Sequence, residues 1–416
     1  MIKILRYPII EFVFSAGRAF YKTLGCAFFL PALGLIAGCS TPVNNIANQN
    51  SSKKISFTKH TLTNEFIAEG VAVGDVNKDG LIDVLAGAYW FQAPDWVPHE
   101  IMQPKKYEYD KGYSDAFLSH SMDVNFDGWI DFLVVGYPGR EAYWYENPQG
   151  KPGHWKQHLI HNTVSNESPG FFDIDGDGRI DLLAGNSAKK QMTWFKSPSS
   201  AGNLEWKAYP ISSEGHLGSD PFSHGLGMGD INGDGRPDVI ITAGWWEAPQ
   251  DVFQGNWVFH EAKLGEPAAQ MYAYDFDGDG DNDVVSSSAH AFGIWWHEQL
   301  KDDKGQLSWK THLITDTLSQ THGLAFTDMN KDGLPDLVTG MRYFAHMGHD
   351  PGELNPPVLY WFEFKKGSTP TWVAHYIDNN SGVGLQVKVE DITGDGLKDL
   401  IIANKKGVFV FKQNAD

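Results

Sequence analysis

From residue 55 to residue 412 the apolar positions fall in short runs divided by Gly, Asn and Asp, and the runs recur in a fixed order. An acidic nine-residue segment is followed by an apolar run such as VLAG, FLVV, LLAG or VIIT. An aromatic run comes next (YWF, YWY, TWF, GWW, IWW, YWF and VFVF), and then a Trp-centred segment such as HWKQHLI or SWKTHLI. Each unit therefore holds four strand-like pieces with turn residues between them. Four strands at this period are the pattern of a β-propeller blade. The expected fold is all-β: a seven-bladed β-propeller with four-stranded blades. The last unit stops at VFVFKQNAD without a fourth strand, whereas ISFTKHTL (residues 55–62) has the character of one. That N-terminal strand is expected to complete the last blade and close the ring, which removes exposed sheet edges.

The N-terminus departs from this pattern. Residues 1–39 read as an export signal: Arg6, Arg18 and Lys22 precede the apolar stretch TLGCAFFLPALGLIAG, which is short for a membrane span and contains Pro31. The run Leu35-Ile36-Ala37-Gly38-Cys39 resembles a bacterial lipobox, which implies lipidation of Cys39 and anchoring to the cell envelope, at the outer membrane. Residues 40–54 are polar and low in complexity and read as a tether, leaving 55–416 for the propeller. The expected membrane contact is the lipid anchor alone.

The acidic segments carry the first candidate chemistry. The seven copies begin at Asp75, Asp123, Asp173, Asp230, Asp275, Asp328 and Asp391 and follow D-x-[DNT]-x-D-G-x-x-D. The third position is Asn77, Asn125, Asp175, Asn232, Asp277, Asn330 or Thr393, and the fifth is Asp79, Asp127, Asp177, Asp234, Asp279, Asp332 or Asp395. The ninth is Asp83, Asp131, Asp181, Asp238, Asp283, Asp336 or Asp399. Hard oxygen donors at this density, with a turn-forming Gly at position six, suit Ca²⁺. These loops hold 24 of the 52 acidic residues, so without cations folding would crowd like charges. Up to seven structural calcium ions are expected, with Asx-turns as the metal-free reading. The repeats resemble the FG-GAP/VCBS type found in integrin α-subunit propellers and many secreted bacterial proteins, over residues 55–412. That resemblance implies the propeller but leaves function open, because such propellers bind proteins, bind glycans or act as enzymes. In architecture the chain is similar to the propeller domain of aldos-2-ulose dehydratase and to propeller-type ulvan lyases, which would imply a sugar dehydratase or a β-eliminating lyase.

Topology sets the face opposite the acidic loops as the place for a site. The innermost strands start there, near Glu69, Glu167, His224 and His322, the two His sharing the frame S/T-H-G-L. His120 and Tyr272 should lie deeper. The loops between second and third strands add Tyr137, Arg140, Trp245, His290, Arg342, Tyr343 and His346. Two His with carboxylates could hold Zn²⁺ or another divalent metal, and Glu69, Glu167, His224 and His322 are the expected set. His224, His322, His120, Tyr272, Arg140 and Arg342 are the candidate catalytic groups. Tyr137, Trp245, His290, Tyr343 and His346 are the candidate substrate contacts. The net charge of −19 excludes a basic nucleic-acid-binding face, and two cysteines exclude a disulfide scaffold. The expected function is an exported carbohydrate lyase or dehydratase that works by β-elimination on an anionic or keto-sugar. The alternative is a non-catalytic surface lipoprotein that binds a glycan or a protein.

Overall fold

The computed structural model describes residues 55–367 and 369–415. The export signal, the tether and Cys39 lie outside the described residues. Within them the chain is all-β, with a single 3-10 turn at Val252–Gln254. No helix there is long and apolar enough to cross a membrane.

Each repeat unit folds as an antiparallel array of four strands. The first runs Ala72–Gly74, Asp83–Ala86, Tyr89–Gln92 and Val97–Glu100 in spatial order. The last combines Val387–Glu390, Asp399–Asn404 and Gly407–Gln413 with the N-terminal strand Phe57–Thr63, which pairs antiparallel with Gly407–Gln413 and sets Phe57 opposite Gln413. The expected terminal pairing is thus present, displaced by a residue or two from 55–62. The units are not seven separate sheets. Strand Lys156–Phe172 runs unbroken from the second unit into the third and joins them in one seven-stranded sheet. A parallel pairing of Leu226–Gly229 with Gln270–Tyr274 fuses the fourth and fifth units into an eight-stranded sheet. The sequence shows turn residues inside units but nothing that forces a break between them.

Neighbouring units meet through the backbone at the ends of their first strands. The Glu69 N–H donates to the Ala116 carbonyl at 2.9 Å, and the Glu167 N–H to that of Ser223 at 2.8 Å. The last unit meets the first in the same way: the Leu385 N–H donates to the Glu69 carbonyl at 3.0 Å. Gly384 makes that approach possible, since a Cβ there would lie 2.2 Å from the Glu69 carbonyl oxygen.

The core follows from the run pattern. Second strands such as Asp131–Val135, Asp181–Asn186 and Asp399–Asn404 are buried along their whole length, as continuous apolar runs should be. In five units a third-strand Trp stacks on a fourth-strand His: Trp90 on His99, Trp144 on His158, Trp245 on His260, Trp296 on His312 and Trp361 on His375, with centroids 4.1–4.3 Å apart. Glu146, Glu247, Glu298 and Glu363 hold the Nε2 of the last four of these His. The aromatic runs are therefore mainly packing between strands.

In six of the seven units the ninth-position Asp ties the unit together through both its oxygens. Asp131 is fully buried; one oxygen accepts the Val124 N–H at 3.0 Å and the other the Asn147 N–H at 2.9 Å. Asp83, Asp238, Asp283, Asp336 and Asp399 repeat the arrangement. Replacing Asp131 by Ala would leave two buried N–H groups without acceptors, at about 1–3 kcal/mol each. In chelator, denaturant unfolding of Asp131→Ala should show a loss of about 2–5 kcal/mol; a loss well below this range would contradict the staple.

Candidate functional site

Three consecutive units deliver imidazoles to one point. His224 and His322 immediately precede the strands Leu226–Gly229 and Leu324–Thr327. His290 sits in the turn between Asp283–Ser287 and Phe292–Lys301, and His346 lies in the long loop after Asp336–Gly340. Gly225, with φ +84°, turns the chain directly after His224, and a Cβ there would strike Thr242 at 2.7 Å. The His224 and His290 centroids are 4.5 Å apart, His290 and His346 4.3 Å, and His322 and His346 5.2 Å.

Hydrogen bonding leaves lone pairs facing the centre. His224 Nδ1 lies 2.9 Å from the Phe222 carbonyl, so it carries the proton and Nε2 is the free acceptor. That Nε2 is buried with no hydrogen-bond partner, 3.4 Å from Glu167 Oε2 but out of line for a bond. His322 Nε2 is likewise buried and unpartnered. His290 Nδ1 and His346 Nδ1 both approach Asp350 Oδ2, at 2.8 and 2.7 Å. Only the first is aligned as a hydrogen bond, so His346 Nδ1 stays unsatisfied despite its proximity. One ring nitrogen each from His224, His290 and His322 falls within 4.8 Å of the others, and His290, His346 and Asp350 form a second such group.

The electrostatics favour neutral rings at His322 and His346. Burial first, then the charge of Arg342 and the neighbouring imidazoles, hold His322 well below the usual histidine range. The same causes bring His346 down to about 4. Burial pushes the Glu167 carboxyl up, but His224, Arg342 and His346 outweigh it and hold it below its usual value. Neutral imidazoles with free lone pairs beside a carboxylate fit a divalent transition metal such as Zn²⁺. His224, His290 and His322 would hold it, with Glu167 in reach.

The expected ligand Glu69 is engaged elsewhere. It is fully buried in an ion pair with Arg342 and also accepts the Ser114 N–H at 3.3 Å. Arg342 Nε and Nη1 have no partners, and its guanidinium carbon is 5.4 Å from the Tyr113 ring. Lys405 closes the group: its Nζ lies 4.6 Å over the same ring and donates to the Phe344 carbonyl at 2.9 Å. Burial and Arg342 bring Lys405 down to about 8, while burial pushes Tyr113 up to about 12. Asp350 and Lys405 were not expected from the sequence. Asp350 follows His346 by four residues, a spacing that could have drawn notice; Lys405, one of two adjacent lysines in a turn, gives no signal.

Other candidates move away from the centre. Trp245 is 2% exposed and packed on His260, so it offers no face to a sugar. The Tyr272 hydroxyl is buried and donates to the Leu324 carbonyl at 2.7 Å, which removes it as an acid. His120 stacks on Phe171, and burial brings it down to about 3, so it is a neutral core residue. Tyr343 packs beside Tyr109 and under Lys406, at the outer part of the loop. Tyr137 is half-buried, 5.7 Å from the Phe222 ring, and Arg140 is exposed.

The acidic loops divide by their neighbours. In the first copy, Asp75 accepts the N–H groups of Asp79 and Gly80, and Asn77 accepts that of Asp79, which closes the turn. Three carboxylates converge in the third copy (Asp173, Asp175, Asp177) and in the fifth (Asp275, Asp277, Asp279). Asp277 is pushed up by burial and then by the charges of Asp279, Glu298 and Asp275, a repulsion that Ca²⁺ would relieve. The third copy already has a cation beside it. The Lys196 ammonium contacts Asp175 and lies 2.6 Å from Asp177, with its side chain 14% exposed, and supplies the positive charge itself.

A family model described as FG-GAP-like repeat matches residues 123–184, 173–241 and 275–339. The chain carries FG-GAP-like repeats. No curated protein matches it. Among solved structures, it is similar to the rhamnogalacturonan lyase YesW at 12% identity, covering 85% of this chain and 72% of that one, with a TM-score of 0.43. The exotype rhamnogalacturonan lyase YesX gives 12%, 86%, 72% and 0.43, and the V. cholerae biofilm matrix protein Bap1 gives 12%, 87%, 84% and 0.36. These likenesses concern the course of the chain and do not bear on the site. For the FG-GAP repeats themselves, Lys196→Met should raise bound calcium by about one ion per chain, read by elemental mass spectrometry. Unchanged calcium would contradict the reading of Lys196 as the loop's own cation.

Proposed function

We propose that this chain is an exported, lipid-anchored β-propeller enzyme that acts on carbohydrate by β-elimination, as a lyase or dehydratase. The observation that carries the proposal is the meeting of His224, His290 and His322, with the Nε2 atoms of His224 and His322 buried and unpartnered. In this reading the seven four-stranded arrays are blades of a closed ring, supported by the Leu385–Glu69 bond between the last and first units. Six of the acidic loops carry calcium on one face, and Cys39 anchors the protein to the outer membrane of a bacterial envelope.

A divalent metal at the histidines would draw electrons from a carbonyl or carboxylate oxygen of the sugar and acidify the neighbouring C–H bond. The remaining work falls to side chains. Lys405, whose proton affinity lies closest to neutral pH among the groups beside Tyr113, takes the proton from that carbon. The electron pair forms the C=C bond as the C–O bond one carbon further on breaks. Tyr113, kept protonated by burial, gives its proton to the departing oxygen. Arg342, fully buried and paired with Glu69, sets the positive potential behind the site rather than touching the substrate.

The His224→Ala/His322→Ala double variant should keep its far-ultraviolet circular dichroism, lose about one transition metal per chain and lose the ultraviolet absorbance that marks unsaturated product. Full activity in that variant would overturn the proposal. Lys405 is active as a free amine, so the rate should rise as pH rises through about 8. In Lys405→Met that limb should vanish and kcat should fall about 10²–10⁴-fold; an unaltered pH profile would remove Lys405 from the mechanism. The alternative, a non-catalytic binding lipoprotein, draws support from Leu217, Phe222 and Leu354, exposed at 61%, 56% and 76%. Sugar binding without turnover by the metal-loaded protein would select it.

A further inference from the structure

A second cavity lies between the first and second units, with a volume of about 690 Å³. Six tyrosines line it: Tyr89, Tyr107, Tyr113, Tyr137, Tyr143 and Tyr145. Tyrosine presents a flat apolar face and a polar rim, the pairing that a pyranose ring requires. The cavity lining holds none of the histidines, and side-chain contacts alone link it to the histidine centre. Tyr113 faces the Arg342 guanidinium at 5.4 Å, and Tyr137 lies 5.7 Å from Phe222, whose carbonyl orients His224.

The lining carries two cations, Lys105 and Arg140, and two acids, Asp115 and Glu141, which differ in availability. Lys105 is held by Asp115 at 2.6 Å. Arg140 is exposed, and among the described residues it has no ion-pair partner. A volume of this size suits a ligand of several rings rather than one sugar. A single free guanidinium calls for one carboxylate along that ligand.

We infer that this tyrosine-lined cleft binds the neighbouring residues of an acidic polysaccharide, stacking their rings and pairing one uronate carboxylate with Arg140, so that the enzyme acts on polymer rather than on free sugar. The inference rests on the carbohydrate reading above and fixes its substrate class. The length-dependent binding it calls for requires neither bound metal nor turnover.

The test is calorimetric binding of uronate mono-, di-, tetra- and hexasaccharides to the whole protein and to its Arg140→Gln and Tyr143→Ala variants. Affinity should rise by at least about tenfold from mono- to tetrasaccharide. Each variant should abolish most of that rise while leaving metal content unchanged. Equal affinity for all lengths, no binding of any, or a length dependence that both variants retain would overturn the inference. Loss of turnover in the histidine double variant together with a retained length dependence in the cleft variants would leave the enzyme standing and remove the cleft. Length-dependent binding lost in the cleft variants, without turnover in any protein, would do the reverse.

Discussion

Asp83, Asp131, Asp238, Asp283, Asp336 and Asp399 are buried carboxylates whose two oxygens each accept a backbone N–H, one from the acidic loop and one from the end of the third strand. This constraint fixes where each first strand ends, because the loop cannot shift without leaving buried N–H groups unpaired. It also holds the second strand against the third. Burial pushes these acids up, to about 6 for Asp83 and about 7 for Asp131, which is the electrostatic strain of pressing an acidic loop onto an apolar core. Asp181 departs from the set: one oxygen accepts the Ser197 N–H and the other has no partner, in the unit where Lys196 neutralises the loop.

The opposite face depends on that rigidity. Three imidazoles can hold unpaired lone pairs at short range only if strand starts and turns cannot relax apart. Arg342, fully buried, adds a positive charge that disfavours protonated imidazole, and Glu69 balances it from the first unit. The sixth unit is therefore tied to the first through Arg342 and Glu69 and to the fifth through Asp350 and His290, while Leu385 ties the last unit to the first. A metal centre assembled this way would require three consecutive units rather than one of them.

Much of the architecture was legible in the sequence because it repeats. Seven copies of the acidic motif and the aromatic runs mark the strands, and the missing last strand pointed to the N-terminal one that pairs with Gly407–Gln413. The FG-GAP character rests on the same residues. What was not legible depends on distances between units. The continuous strand Lys156–Phe172 and the parallel pairing of the fourth and fifth units arise from contacts that no local turn signal encodes. At the site, His224 and His322, which share the S/T-H-G-L frame, lie with centroids 5.7 Å apart. Glu69 and Glu167 looked equivalent by position, yet one meets Arg342 and the other His224. Trp245 and Tyr272 were misplaced because position along a strand does not say which face a side chain takes.

The central claim is that His224, His290 and His322 share one metal ion. X-ray absorption at the zinc edge of the zinc-loaded protein tests it most directly. The account predicts nitrogen and oxygen neighbours near 2.0–2.1 Å with outer-shell scattering from about three imidazoles. A spectrum with no imidazole scattering, or with an oxygen-only shell such as the acidic loops would give, would contradict it.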